Sequence, residues 1–142
     1  MEKLCQTFGM QILRNDQPRA MTEGKKGFVS LDTIAEESDI IKFHTPLTIK
    51  GSYQTFHLAN SAFIKKLKKT PWLINSSRGG VHDTSALLEG LSDGKIGSLI
   101  LDCWENEPRI NPDLLQQTAI ATPHIAGFSA DGKANATRMC LE

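Results

Sequence analysis

Short, nearly continuous apolar runs alternate along this chain with segments whose apolar residues recur at helical spacing. "MEKLCQTFG" puts Met1, Leu4, Cys5 and Phe8 on one helical face and stops at Gly9. "MQILRND" reads as a short strand ending at Asn15 and Asp16. "SLDTIAEES" predicts a helix with Ser30 as N-cap, and "DIIKFHTPL" a strand running into a Thr-Pro turn. "NSAFIKKLKK" is an amphipathic helix broken by Pro71, and "WLINSS" a strand. "HDTSALLEGLSDG" predicts a helix from near Asp83 to Gly94, followed by the strand "IGSLILDCW". "NPDLLQQ" is a short helix with Pro112 in its first turn, "AIATPH" a last strand, and "SADGKANATRMCLE" opens another helix.

Such alternation predicts an α/β fold, a doubly wound parallel sheet whose apolar strands are covered on both faces. Ligands of such sheets bind beyond the carboxyl ends of the strands. The polar residues fall there: Asp16, His44 and Thr45, Ser76 through Gly80, Asp102 through Glu107, and Pro123-His124.

Composition narrows the picture by exclusion. A chain of 142 residues is most simply one domain. Its formal charge of +0, with no basic or acidic block, favours neither nucleic acid nor an anionic membrane as partner. No apolar run reaches the length of a membrane span, and the N-terminus lacks a signal-peptide core. Cys5, Cys103 and Cys140 are odd in number and far apart, which predicts neither a disulfide framework nor a metal site and favours a reduced, cytoplasmic setting.

Each polar strand end has a chemical reading and a plainer one. Asp16 is either an acid that accepts hydrogen bonds from the ribose hydroxyls of a dinucleotide or part of an Asn-Asp turn before Pro18. In "NSSRGGVHD", either Ser76, Ser77 and the following helix hold an anion while Arg78 grips a carboxylate, or the segment is a Gly-rich turn with a solvated arginine. It is not a P-loop, because no lysine-serine pair follows the glycines. Glu107 and His124 close consecutive strand-type elements, and a carboxylate beside an imidazole orients it as an acid/base. His44 is expected in strand packing, and His57 and His82 at the surface.

"FHTPLT", "LINSSRGGVHDTSALLEGL", "ILDCWENEP" and "TPHIAGFSADGKANATRM" together resemble, in order, the NAD-binding domain of the D-isomer-specific 2-hydroxyacid dehydrogenases. The resemblance implies a Rossmann-like fold, NAD as cofactor and a small 2-hydroxy acid as substrate. It implies that Arg78 binds the substrate carboxylate, that His124 takes the hydroxyl proton and that Glu107 holds His124. Asp16 would hold the adenosine ribose, and Thr45, Ser76, Ser77, Arg78, Asp102 and Gly127 would line the cofactor cleft. Phe128 stands where a substrate-touching tyrosine is common. "NDQPRA", "WENEP" and the insertion "IKGSYQTFHLA" resemble one branch whose substrate is phosphorylated. The family's glycine fingerprint does not occur, so the resemblance implies that residues 1–142 are a partial NAD-binding domain. Its sheet would be incomplete at the N-terminal side, with the substrate domain absent, inside an enzyme that forms homodimers. A non-catalytic dinucleotide-binding regulator and a flavodoxin-like interaction domain are the competing expectations.

Overall fold

A computed structural model of the protein describes residues 2–24, 26–127 and 130–139. In chain order the elements are helices α1 (Glu2–Thr7), α2 (Gln17–Glu23) and α3 (Leu31–Glu37), strand β1 (Ile40–Phe43), helix α4 (Ser61–Lys65), strand β2 (Trp72–Asn75), helix α5 (Thr84–Ser92), strand β3 (Ser98–Leu101), helix α6 (Pro112–Gln117), strand β4 (Ile120–Ala121) and helix α7 (Ala130–Met139). A 3-10 turn, Gly79–Val81, lies between β2 and α5. The strands form one parallel sheet in the order β1-β2-β3-β4, as the alternating pattern predicts. Parallel neighbours demand crossovers, and α4, α5 and α6 supply them. Among the described residues no helix is long and apolar enough to cross a membrane.

The helices start where short polar side chains can accept the first free N–H groups. Ser30 caps α3, Asn60 caps α4, Asp83 caps α5 and Asn111 caps α6 ahead of Pro112. Helices α3, α4, α5 and α6 pack side by side. In register across the sheet, Ile41, Leu73 and Leu99 form one buried row. They join Phe63, Ile64, Leu67, Leu87 and Leu114 in the core, where each fully buried large apolar side chain contributes roughly 1.5–3 kcal/mol. The opposite face is covered less closely: Ile40 is 46%, Trp72 49% and Ile120 53% exposed.

Two expectations need correction near the N-terminus. Residues 10–16 are not a strand, because no strand pairs with them among the described residues; they are anchored instead to residues 27–29, by Val29 N–H to Arg14 O (2.7 Å), Asn15 Nδ2 to Val29 O (2.8 Å) and Arg14 Nε to Gly27 O (3.2 Å). The sequence reading also missed α2, which Asp16 caps by accepting the Arg19 N–H at 3.0 Å. The apolar residues of α1 and its end stay largely exposed, Leu4 at 61% and Phe8, just past the helix, at 75%.

The second buried row has a polar residue at its centre. Phe43, Asn75 and Leu101 are in register, and Asn75 is 1% exposed. Burial of an amide is tolerable only when its hydrogen bonds are made. Asn75 Oδ1 accepts the Ser77 N–H (3.0 Å) and hydroxyl (2.8 Å), while Nδ2 donates to Arg78 O (2.9 Å) and His82 Nδ1 (2.9 Å). His82 is therefore a core residue at 1% exposure and not a surface one, and among the described residues its Nε2 has no partner. His44, expected in strand packing, is exposed just beyond β1.

The turn that follows Asn75 meets the loop after β3 backbone to backbone. A Cβ added at Gly79 would collide with the Trp104 carbonyl and come within 2.7 Å of Glu105 N, so only glycine permits this approach.

Two predictions follow from this packing. Burial of His82 is the main cause lowering its pKa to about 4. Between pH 6.5 and 4 the unfolded chain binds the proton that the folded chain refuses, so stability falls as pH drops through this window. Urea titrations at pH 7 and pH 5 should show a loss on the order of 2 kcal/mol at the lower pH, which His82→Gln should largely abolish; an unchanged loss in the variant would contradict the assignment. Gly79→Ala should destabilise the fold by about 2–4 kcal/mol in the same assay, and a change within experimental error would show that the two loops do not abut.

Candidate active site

Because β1 to β4 are parallel, their carboxyl ends share one edge of the sheet. Thr45, Ser76 to Arg78, Asp102 to Glu107 and His124 all follow strands at that edge.

Glu107 and His124 are joined there. Glu107 Oε1 accepts the Trp104 N–H at 2.7 Å, which fixes the carboxylate, and Oε2 lies 2.8 Å from His124 Nδ1. Since a carboxylate oxygen accepts, Nδ1 carries the proton in the neutral ring and Nε2 is left as the basic nitrogen. The imidazole side chain is 40% exposed, so it is open to a ligand.

The backbone bends unusually to present this ring. His124 has φ +57°, in the left-handed region that costs a non-glycine residue about 1–3 kcal/mol. Asp102 holds the bend. Its Oδ1 accepts the Thr122 hydroxyl (2.5 Å) and the Ile125 N–H (2.8 Å), and its Oδ2 accepts the Ala126 N–H (3.0 Å). Burial works to raise the Asp102 pKa, but bonds from Thr122, Ala126 and Ile125 outweigh it and hold the carboxyl below its usual range. Trp104 Nε1–H donates to Thr122 O at 2.9 Å, a second tie between the two loops.

Arg78 sits at the start of the Gly79 turn with its side chain exposed. Nη1 donates to Ser77 O at 2.6 Å, and among the described residues no carboxylate lies within ion-pair distance of the guanidinium. Its charge nevertheless reaches the β3 loop. Burial, then Asp102 and Glu107, push the Cys103 thiol up to about 11, while Arg78 pulls the other way.

The remaining predicted positions divide. Asp16 and Thr45 border one cleft of about 610 Å³ that runs beside β1 and is lined by Leu13, Ile34, Ile41 and Phe43. Arg78, Glu107 and His124 lie outside that cleft. Asp16 Oδ1 is committed to capping α2, and no bond engages Oδ2 among the described residues. The Ser77 hydroxyl is turned inward to Asn75, and Ser76 is half-buried. Gly127 is exposed, with open space where a Cβ would be. Phe128 lies outside the described residues. The sequence reading overlooked Asn75, His82 and the holding role of Asp102. An asparagine ending an apolar strand before two serines was a usable local signal, whereas the Asp102–Thr122 contact spans 20 positions and has none. The described residues contain no group of side chains suited to a metal ion.

Comparison with known proteins places this arrangement. The chain is 54% identical over 140 residues to the erythronate-4-phosphate dehydrogenase of Bacteroides thetaiotaomicron, covering 99% of this chain and 40% of that protein. It superposes on the crystal structure of a glyoxylate reductase from Paecilomyes thermophila with a TM-score of 0.78 at 26% identity, over 99% of this chain and 42% of the other. On D-lactate dehydrogenase from Aquifex aeolicus complexed with NAD and lactic acid, the TM-score is 0.73 at 30% identity, over 95% and 45% of the two chains. The chain thus spans about two fifths of the length of the curated relatives it matches. The model of the D-isomer specific 2-hydroxyacid dehydrogenase NAD-binding domain matches residues 1–126, and the chain belongs to that family.

Proposed function

We propose that the chain works within a longer NAD-dependent dehydrogenase that oxidises C2 of 4-phospho-D-erythronate, in the formation of pyridoxal 5′-phosphate. The observation that carries the chemistry is the 2.8 Å bond between Glu107 and His124, at the same sheet edge as an arginine that meets no carboxylate among the described residues. The substrate is supported by the identity to erythronate-4-phosphate dehydrogenases. The longer chain is supported by their greater length and by the apolar-lined cleft beside β1.

In this reading NAD accepts the hydride when bound. The residues present fit a dinucleotide: Asp16, the cap of α2, keeps one carboxylate oxygen for ribose hydroxyls, and it shares a cleft with Thr45 just beyond β1. Ser76 and Gly127 offer themselves at the edge. Ser77 and Asp102 act through their backbone and the turns they hold, because their side-chain oxygens are engaged inside the protein. Arg78 receives the substrate carboxylate through its planar fork and draws electron density from the reacting carbon. His124 accepts the hydroxyl proton at Nε2, since Nδ1 is committed to Glu107. Glu107 then stabilises the imidazolium, as its anchoring by the Trp104 N–H keeps it from turning away. A substrate contact by Phe128 rests on resemblance to the family alone. The scattered cysteines, with Cys5 and Cys103 free, support a reduced cytoplasmic setting. Homodimer formation rests on resemblance to the family.

NADH absorbance with the purified full-length enzyme, NAD and 4-phosphoerythronate is the direct test. Turnover on the order of 1–10³ per second is expected, and faster oxidation of D-lactate would instead assign another 2-hydroxy acid. Arg78→Lys should lower kcat/KM by about a hundredfold, because a point ammonium cannot reproduce the bidentate grip. His124→Asn should lower kcat by about 10²–10⁴-fold with NAD affinity preserved; kinetics equal to the parent in either variant would remove that residue from the chemistry.

A further inference from the structure

A second histidine–carboxylate pair stands apart from Glu107 and His124. His57 Nε2 lies 2.6 Å from Glu105 Oε1, and Glu105 Oε2 accepts the Thr84 N–H at 3.0 Å. The two partners are 48 positions apart and belong to different loops. His57, expected at the surface, is half-buried: its ring is stacked on Phe56 with centroids 3.9 Å apart, and its Nδ1 is 3.9 Å from Asp83 Oδ2. Its backbone takes φ +51°, an unfavourable left-handed geometry for a non-glycine residue. Burial acts to raise the Glu105 pKa, but the Thr84 N–H and the His57 ring outweigh it and hold the carboxyl below its ordinary range.

What makes the pair more than a local contact is where its ends are tied. On one side, the His57 N–H donates to Gly80 O (2.8 Å) and the Ala59 N–H to Val81 O (3.0 Å), so residues 57–59 lie along the Arg78 turn. Leu47 and Phe56 close on Gly80 from the same side. On the other side, Glu105 adjoins Trp104, whose carbonyl meets Gly79 and whose N–H fixes Glu107. The Glu105 carboxylate therefore joins three pieces of chain: the loop after β1, the N-terminus of α5 and the loop that carries Glu107.

We propose that Glu105 and His57 form a positioning pair that locks the Arg78 turn and the Glu107 loop into one rigid unit. Its kinetic consequence rests on the dehydrogenase reading above; its structural consequence does not. If the pair is lost, the carboxylate-binding arginine and the proton-accepting histidine shift relative to each other, and small misplacements of reacting groups are costly.

Both consequences are measurable. Amide hydrogen exchange in the full-length enzyme should show the Val81, His82 and Trp104 amides exchanging faster together, by about tenfold, in Glu105→Ala and equally in His57→Ala. Glu105→Gln should restore most of the protection, because its carbonyl oxygen can accept the Thr84 N–H while its NH₂ donates to His57 Nε2. In the full-length enzyme, kcat/KM for the hydroxy acid should fall about tenfold in each alanine variant, with NAD affinity unchanged within about twofold, and the double variant should be no worse than either single one. If Glu105→Ala does not fold, His57→Ala and Glu105→Gln carry the same comparison. An unchanged Trp104 amide in the variants, or losses that add in the double variant, would overturn the proposal. A parent enzyme that oxidises no 2-hydroxy acid would defeat the dehydrogenase reading, and the exchange data would then decide on the pair alone.

Discussion

Gly79 and the Trp104 carbonyl touch with no room for a side chain between them, and the geometry of the site depends on that contact. It brings the turn after β2 against the loop after β3, so Arg78 and Glu107 are set by one interface. From Trp104 the constraint continues outward. Its N–H fixes Glu107, its indole N–H reaches Thr122 O, and its neighbour Asp102 holds the bend on which His124 stands. Four strands placed in parallel bring these loops to one edge, and the backbone contact turns proximity into fixed geometry.

The site is held by polar side chains that bond both backbone groups and other side chains. Asn75 satisfies both ends of its amide, Asp102 receives two N–H groups and a hydroxyl, and Glu107 divides its oxygens between Trp104 and His124. Buried polar groups of this kind add specificity only when each is satisfied. Among the described residues the orphan is His82 Nε2; with Nδ1 accepting from the Asn75 amide, protonation would put the ring's second hydrogen on Nδ1 against that donor, in a buried ring, and so opposes folding. Arg78 contrasts with this economy. Among the described residues its guanidinium meets no carboxylate, which leaves its charge available to a ligand in the proposed reading.

Much of the α/β order could be read from the chain because it is written locally. Apolar runs such as "WLIN" and "SLIL" and caps such as Ser30, Asn60 and Asp83 act within a few residues. The Glu107–His124 pairing was legible from their common place at strand ends, since parallel strands bring those ends together. The errors came from forces the local pattern does not carry. "MQILRND" has strand composition, yet a strand needs a neighbour, and none pairs with it among the described residues. His82 looked like a surface histidine because nothing nearby in sequence shows that Asn75 lies across from it. Asp16 had two local readings, and its capping of α2 realises the turn-like one without removing the other. His57 and Glu105 meet only through tertiary structure, so no spacing could have paired them.

The central claim is that Arg78 and the Glu107–His124 pair grip opposite ends of the same reacting group. A crystal structure of the full-length enzyme with NAD and a bound 2-hydroxy or 2-oxo acid tests it most directly. The account predicts the substrate carboxylate in bidentate contact with the Arg78 guanidinium and the C2 oxygen within hydrogen-bond reach of His124 Nε2, with Nδ1 still on Glu107. A carboxylate held elsewhere, with Arg78 facing solvent and His124 Nε2 away from C2, would contradict it.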